Sequence, residues 1–180
     1  MNPKALAPLA IAALLAGCSN APPKPKAVDG ASERQKVATL DQLKKLAGTW
    51  EIMGDDGKPI GETVFAVTSA GSAVREIMFV GQAHEMTNLY HLDGKSIVMT
   101  HYCAEGNQPT MGAPAPDSPT GRIAFRFISV ANLTRPNQEY MGDMTLIIKD
   151  NDHIQQQWQS YVETKPTQHR ADFDLVRKKT

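Results

Sequence analysis

The feature that most constrains the fold is an unbroken series of short segments rich in Val, Ile, Thr, Phe and Tyr that follows Gly48. Turn-forming sequences such as GDDGKP, SAGS and DND separate these segments, and no helical periodicity interrupts them. The pattern predicts strands at residues 49–53, 62–68, 73–79, 83–92, 95–103, 122–130, 140–149, 153–162 and 170–177. Because parallel strands need long crossover connections, we expect neighbouring strands to pair antiparallel as successive hairpins.

Eight or nine such strands in a row predict an all-β fold, a single up-and-down antiparallel barrel. A flat open sheet of this size would leave two long edges exposed. Before the first strand, Leu40, Leu43 and Leu46 recur at helical spacing and Gly48 is a natural stop, so a short helix should precede the barrel.

A short helix followed by Gly48-Thr49-Trp50 resembles the start of lipocalins and of the wider calycin group. The resemblance implies that the helix plugs one end of the barrel. It also implies that Trp50 packs inside that end against a basic residue of the last strand, Arg177 or Lys178. A weaker resemblance, to the haem-binding barrels called nitrobindins, rests on the same Gly-x-Trp.

The first residues are expected to be an export signal and not part of the fold. A single early cation, Lys4, precedes an apolar run at residues 5–16 that is too short for a permanent membrane span. The run ends in Leu15-Ala16-Gly17-Cys18, which resembles the lipobox of bacterial lipoproteins. The resemblance implies that Cys18 is lipidated and becomes the first residue of the mature chain. The resemblance also implies, from the sorting pattern of that family, that Ser19 in place of Asp favours the outer membrane, with the domain facing the periplasm.

We therefore divide the chain into a signal peptide at residues 1–17, a tether at 18–38 and a lipocalin-like barrel domain at 39–180. Three closely spaced prolines, small residues and charges make the tether a poor candidate for burial, so we expect it to be flexible. The remaining length is that of one ordinary domain.

Charge and cysteine content bear on two questions, whether the chain binds nucleic acid and whether it forms an internal disulfide. Lys and Arg together number 19, as do Asp and Glu, and no basic stripe stands out, which argues against a nucleic-acid partner. After the lipobox Cys18, Cys103 is the single cysteine, so it cannot form a disulfide within the domain.

The sequence NLYHLDGKSIVMT predicts a tight hairpin. Asp93-Gly94 between two alternating runs is typical of a two-residue type I′ turn, and such a turn fixes the register. The predicted pairs are Leu92 with Lys95, Tyr90 with Ile97, Asn88 with Met99, Met86 with His101 and His84 with Cys103. Because side chains alternate with period two, all ten share one face, and its apolar members favour the barrel interior.

This register predicts a cluster of His84, Met86, His101 and Cys103 inside the barrel, at the end away from the turn. Residues 104–121 show no regular pattern and predict a lid or binding loop over that end, with Asn107 and Gln108 supplying hydrogen bonds. The candidate ligand-binding residues are His84, Met86, Tyr90, Met99, His101, Cys103 and Asn107.

Three functions fit these residues. The first is a module that binds a small, partly apolar molecule. The second is a metal, haem or thiol site in which His84, His101 and Cys103 ligate a soft metal, or His84 activates Cys103 as a nucleophile. The third is a structural envelope protein whose barrel holds no ligand.

Two further strands carry polar residues of undecided role. In strand 153–162, Trp158 shares a face with Gln156 and Ser160, and we expect Trp158 to belong to the core or the pocket wall. In strand 73–79, Arg75 and Glu76 fall on opposite faces, so one of them must point inward, and the sequence does not decide which.

Overall fold

A computed structural model describes residues 25–179. The helices are α1 (Glu33–Ala38) and α2 (Leu40–Lys44), and a 3-10 turn spans Ser69–Gly71. The strands are β1 (Gly48–Met53), β2 (Pro59–Thr68), β3 (Ala73–Met78), β4 (Met86–Asp93), β5 (Ser96–Tyr102), β6 (Gln108–Pro114), β7 (Arg122–Ala131), β8 (Tyr140–Ile148), β9 (His153–Val162) and β10 (Lys165–Arg177). No helix within this part of the chain has the length and apolar character needed to cross a membrane.

Each strand pairs antiparallel with its neighbours in sequence, and β1 pairs with β10 to close the sheet. The predicted all-β, single up-and-down antiparallel barrel is therefore confirmed. It is consistent with a lipocalin-like architecture. The described residues form ten strands where eight or nine were expected.

The additional strand is β6, which lies inside the segment predicted as a long irregular lid. This segment looks like a loop in the sequence because it contains Pro109, Gly112 and Pro114. It is nevertheless a strand with alternating burial, in which Met111 and Ala113 face the interior. A Cβ at Gly112 would lie 2.8 Å from Cδ1 of Ile128 in β7, so the glycine lets the Ile128 side chain lie over β6. The prediction of a lid at 104–121 is thus wrong, and only the turn 103–107 precedes β6.

The helical part of the chain begins earlier than the predicted tether boundary. Ser32 accepts a hydrogen bond from the backbone N–H of Gln35, and Gln35 Oε1 accepts one from the backbone N–H of Ser32, which forms a capping box. Gln35 Nε2 also donates to Ala115 O, 3.2 Å away, so α1 is held against the barrel. Residues 1–24, with the predicted signal and Cys18, lie outside the described part of the chain.

One end of the barrel is plugged by α2 and the start of β1. Leu43 and Trp50 are fully buried there, and the indole of Trp50 donates to Leu46 O at 2.8 Å. The guanidinium of Arg177, from β10, lies 4.2 Å from the centre of the Trp50 ring. This is the contact that the lipocalin resemblance implied, made by Arg177 and not by Lys178.

Arg177 also ties the helix to the last strand. Its nitrogens donate to the carbonyls of Lys45 at 3.1 Å, Ala47 at 3.0 Å and Asn151 at 2.7 Å. Gly48 permits this approach, because a Cβ there would lie 3.2 Å from Arg177 Nη1 and the φ of +130° is one that other residues rarely adopt. The turns 54–58, 79–85, 103–107, 132–139 and 163–164 surround the opposite end, called here the open end.

We predict that Arg177→Lys lowers the free energy of unfolding by about 2 kcal/mol, because one ammonium cannot reach three carbonyls and cover the indole at once. Urea denaturation followed by tryptophan fluorescence measures the loss. Arg126→Lys is the matched control, since the Arg126 side chain is 60% exposed and binds one carboxylate. Equal effects of the two substitutions would contradict the role given to Arg177.

Candidate functional site

The barrel interior contains a connected set of buried polar side chains, called here the polar core cluster. Its members are Glu76, Asn88, Tyr90, His101, Gln156 and Trp158, each at most 3% exposed. They come from β3, β4, β5 and β9, where period-two alternation points them inward. The sequence did not decide whether Arg75 or Glu76 points inward. In the structure Glu76 is buried and Arg75 is exposed.

Glu76 is the centre of this cluster and receives three hydrogen bonds. Tyr90 donates its hydroxyl to Oε2 at 2.6 Å, Asn88 donates Nδ2 to Oε2 at 2.7 Å, and Gln156 donates Nε2 to Oε1 at 2.5 Å. The Trp158 indole, which can only donate, binds Gln156 Oε1 at 3.1 Å and so turns Gln156 Nε2 toward the carboxylate. The interior is thus arranged to satisfy a buried acid by donors alone.

Asn88 connects this acid to His101. Its Oδ1 lies 2.7 Å from His101 Nδ1 and can only accept, so Nδ1 carries the hydrogen and a neutral His101 has its lone pair on Nε2. The imidazole packs against Trp158 with ring centres 4.8 Å apart. No side-chain hydrogen bond among residues 25–179 uses His101 Nε2.

Burial shifts the ionisation of both groups. It lowers the pKa of His101 to about 4, so the imidazole is neutral near pH 7. It also raises the pKa of Glu76, because desolvation outweighs the three hydrogen bonds that favour the carboxylate. The pKa of Tyr90 is likewise raised, first by burial and then by the neighbouring Glu76.

The hairpin register differs from the prediction by two residues. Gly94 and Lys95 form the turn, so Asp93 pairs with Ser96, Tyr90 with Met99 and Asn88 with His101. A shift of two residues keeps every side chain on its face. The interior face was therefore predicted correctly, and the pairs were not.

His84 does not join the others. It lies exposed in the turn 79–85 and packs against Phe79, with the rings tilted and their centres 4.5 Å apart. The predicted pair of His84 with Cys103 is wrong, because β4 begins only at Met86 and its pairing with β5 ends at Thr87. Within residues 25–179 no three His, Cys, Asp or Glu side chains are grouped to hold a metal ion, so His84, His101 and Cys103 do not lie together as the predicted ligand set.

Tyr90 and Met99 are fully buried core residues, and Met86 is half-buried opposite Met78. They pack among other side chains in the interior. Of the predicted ligand-binding residues, the structure leaves Cys103 at an opening and places His101 directly beneath it.

That opening is a cleft of about 180 Å³ at the open end of the barrel. It is lined by Cys103, Glu105, Arg135, Gln138, Glu139, Tyr140, Met141, Ser160 and His169. Ser160 is two residues beyond Trp158 on the inward face of β9, about 7 Å along the strand. Cys103 follows His101 by two residues, at the first position of the turn 103–107. The cleft therefore stands one layer above the polar core cluster.

Glu139 is the hub of the cleft. Its Oε1 accepts from Ser160 at 2.5 Å, from His169 Nδ1 at 3.1 Å and from Thr167 at 3.2 Å. The Ser160 hydrogen bond is the largest cause that lowers the pKa of Glu139, so the carboxylate is ionised near neutral pH. Its second oxygen, Oε2, is used by no side-chain hydrogen bond among the described residues and remains able to accept from a ligand.

The Ser160, Glu139 and His169 side chains do not form a nucleophile site. A serine nucleophile needs a base at its hydroxyl, whereas Ser160 donates to the carboxylate and the imidazole binds the same carboxylate from another side. Burial raises the pKa of the Cys103 thiol, and His84 is not beside it, so thiolate chemistry lacks its activating group.

Asn107 lies at the open end, as predicted, but fully buried below the rim. Its Nδ2 donates to Glu139 O at 3.0 Å, which holds the segment 132–139 against the turn 103–107. Gln138 strengthens the same junction by donating to Glu105 O at 3.1 Å. The segment that partly covers the cleft is therefore 132–139.

Two residues of the site, Gln156 and Glu139, were not among the predicted ligand-binding residues. The sequence pattern indicates the position of Gln156 and does not indicate that of Glu139. Gln156 shares a face with Trp158, so its inward position followed from alternation alone. Glu139 carried no such signal, because it lies in the irregular stretch TRPNQE and acquires its role from Ser160, Thr167 and His169 of distant strands.

No protein-family model matches the chain, and no curated protein is significantly similar to it. The site is therefore interpreted from its own geometry.

We predict that His101 makes the protein less stable as the pH falls from about 6.5 to about 4. In that window His101 is protonated in the unfolded chain and neutral in the folded chain. With a folded-state pKa of about 4, the free energy of unfolding falls by about 3 kcal/mol across the window. The raised pKa of Glu76 acts with the opposite sign, since the folded state then holds its proton more tightly.

The measurement is urea unfolding of wild type and His101→Gln at several pH values across this window. The substitution removes the titrating group, so the loss of stability on acidification should be smaller in the variant. His84→Gln removes an exposed imidazole and should leave the wild-type profile unchanged. Parallel profiles for wild type and His101→Gln would contradict the prediction.

Proposed function

We propose that the protein is an envelope-anchored, lipocalin-like barrel that binds a small molecule in the open-end cleft. The ligand has an apolar body and a head that donates hydrogen bonds, with positive charge favoured. The observation that carries this proposal is the ionised Glu139, which presents a free Oε2 in a cleft that also has the apolar surfaces of Tyr140 and Met141.

The size of the cleft supports a small ligand. Pockets for drug-sized molecules usually measure about 300–1,000 Å³, and this cleft is below that range. The deeper interior gives little additional room, because Tyr90, Met99 and the members of the polar core cluster are buried among other side chains.

Charge within the cleft favours a cationic head. Glu105 and Glu139 provide two carboxylates, and Arg135 provides one guanidinium. Glu139 is fixed by Ser160 and Thr167 before any ligand arrives, so binding has no need to order its side chain.

The envelope location rests on the lipobox-like sequence ending in Cys18. Residues 28 and 29 pass beside the Gly94 turn, and α1 follows at the plugged end. A lipid on Cys18 would therefore tether the barrel by the plugged end and leave the cleft pointing away from the bilayer.

We predict that phenethylamine binds more tightly than 2-phenylethanol or phenylacetate, three probes with the same ring and different head charge. A ligand that binds only the folded state stabilises it by about 2.7 kcal/mol at a hundredfold excess over its Kd, so thermal unfolding reports the binding. Isothermal titration calorimetry then gives each Kd.

The control pair for this experiment is Glu139→Gln and Glu163→Gln. Glu139→Gln should abolish the preference for the amine, whereas Glu163→Gln alters an exposed carboxylate at the same end of the barrel, outside the cleft residues. Preference for phenylacetate would contradict the assigned head charge. No saturable binding by any probe would favour a structural barrel without a ligand.

We predict that Cys18→Ala moves the protein from the membrane fraction to the soluble fraction of bacterial cells. Acyl chains stabilise membrane binding by about 0.8 kcal/mol per buried CH₂, and this substitution removes their attachment point. Cys103→Ala is the matched control and should stay with the membranes. Retention of the Cys18→Ala chain, or an unlipidated Cys18 in mass spectrometry, would contradict lipid anchoring.

A further inference from the structure

The polar core cluster contains a buried acid with no buried cation beside it. Glu76 is fully buried, and no lysine or arginine of residues 25–179 is buried with it. The other ionisable side chains of the cluster are Tyr90 of β4 and His101 of β5, and both are neutral near pH 7. An ionised Glu76 therefore has only hydrogen bonds to stabilise its charge, so it takes up a proton at a higher pH than an exposed glutamate does.

The direction of the hydrogen bonds decides how a protonated Glu76 is accommodated. Glu76 Oε1 accepts from Gln156, which cannot turn over because its own Oε1 accepts from the Trp158 indole. Glu76 Oε2 accepts from Asn88 Nδ2 at 2.7 Å and from the Tyr90 hydroxyl at 2.6 Å. A hydrogen added at Oε2 needs an acceptor, and Asn88 provides one if its Oδ1 turns toward Glu76. The Tyr90 oxygen can accept it only if the tyrosine's own hydrogen finds another acceptor, so this route also requires the amide oxygen of Asn88 on that side.

Turning Asn88 reverses its hydrogen bond to His101. In the present orientation Asn88 Oδ1 lies 2.7 Å from His101 Nδ1, which carries the hydrogen. After the turn Asn88 Nδ2 takes that place and donates, so Nδ1 needs its lone pair and a neutral imidazole carries its hydrogen on Nε2. The turn gives up one weak contact, the donation from Asn88 Nδ2 to Met78 Sδ at 3.4 Å. That contact favours the present orientation while Glu76 is ionised.

The Nε2 atom of His101 is open to small molecules. Among the described residues, the buried side-chain polar atoms without a partner belong to Gln42, Thr63 and Asn107. Nε2 is not one of them, although it makes no hydrogen bond within this part of the chain, so it is accessible to a molecule the size of water. The tautomer of His101 therefore decides whether this nitrogen accepts a hydrogen bond or donates one.

We propose that Glu76, Asn88 and His101 form a proton-operated switch. When Glu76 takes up a proton, Asn88 turns over and His101 carries its hydrogen on Nε2 in place of Nδ1. The two states differ by one proton, which comes from the solvent and becomes the carboxyl hydrogen, whereas the imidazole keeps a single hydrogen in both. Nε2 thereby changes from a hydrogen-bond acceptor to a donor. This inference is independent of the ligand proposed for the cleft.

The order of the two ionisations gives the switch its pH range. Burial raises the pKa of Glu76 above its ordinary value of 4.5 and lowers the pKa of His101 to about 4. Between these two pKa values Glu76 is protonated and His101 is still neutral, so the Nε2–H tautomer is present. Cys103, two residues beyond His101, has a raised pKa and stays uncharged in this range. The other ionisable side chains on that side line the cleft above, and they are Glu105, Arg135, Glu139, Tyr140 and His169.

The test is an NMR titration of the full chain in detergent micelles, from about pH 8 to about pH 4.5. Long-range ¹H–¹⁵N spectra show which ring nitrogen of each histidine carries the hydrogen, and His101→Gln identifies the signals of His101. As the pH falls, the ratio of the Nδ1–H to the Nε2–H tautomer of His101 should decrease at least about tenfold, as for a one-proton equilibrium. A His101 tautomer that stays the same until the imidazolium forms would overturn the proposal.

Glu76→Gln and Glu139→Gln are the matched variants. In the Glu76→Gln chain the new carboxamide must direct its nitrogen toward Asn88, because Gln156 is fixed, so His101 should carry its hydrogen on Nε2 at every pH of the titration. Glu139→Gln removes an acid of the cleft and should leave the His101 titration as in wild type. A tautomer change that persists in Glu76→Gln, or that Glu139→Gln abolishes, would overturn the proposal as well. If Glu76→Gln does not fold, the wild-type titration decides alone.

Discussion

Closure of the sheet by pairing of β1 with β10 is the constraint on which the rest of the structure depends. It removes both edges of a ten-stranded meander and assigns every alternate side chain to a confined interior. Arg177 secures this closure at the start of β1, close to the point where the chain leaves the helical segment. By binding the carbonyls that follow α2 while covering Trp50, one side chain joins helix, first strand and last strand.

The interior then divides into two regions of different chemistry. Around Trp50, the plugged end is filled by apolar residues such as Leu43, Ile154 and Leu175, which supply hydrophobic stabilisation. Toward the open end, Glu76 occupies a fully buried position. Burial of its carboxyl group has a desolvation cost that a leucine at the same position would not have. A buried acid is tolerated only when its hydrogen bonds are satisfied, and here two strands, β4 and β9, provide the three donors.

Much of this arrangement follows from the sequence because β structure has a period of two. The inward face of β4 and β5 was assigned correctly even though the turn was misplaced, since a two-residue slip exchanges partners and preserves faces.

The strand β6 was not predicted because Pro109, Gly112 and Pro114 have low strand propensity. Pairing with the neighbouring strands β5 and β7 makes this segment a strand. Glu139 escaped for a different reason, because contacts between residues far apart in sequence create its role. His84 was misplaced because strand ends are set by the loops that bound them, and the turn 79–85 removes that residue from β4.

Polar side chains are distributed unequally between the two ends of the barrel. Mainly apolar packing at the plugged end supplies hydrophobic stabilisation. The open half instead holds polar groups that are hydrogen-bonded from Glu76 through Asn88 to His101, below the layer of Cys103 and Ser160. If the barrel were only structural, hydrophobic residues of similar volume would fill this half at no cost in stability. The departure from that simpler solution crosses the interior from β3, β4 and β5 to β9, and it lies below the cleft that contains an ionised carboxylate with an available oxygen. This coincidence of buried polarity and surface opening is the physical reason to place the function at the open end.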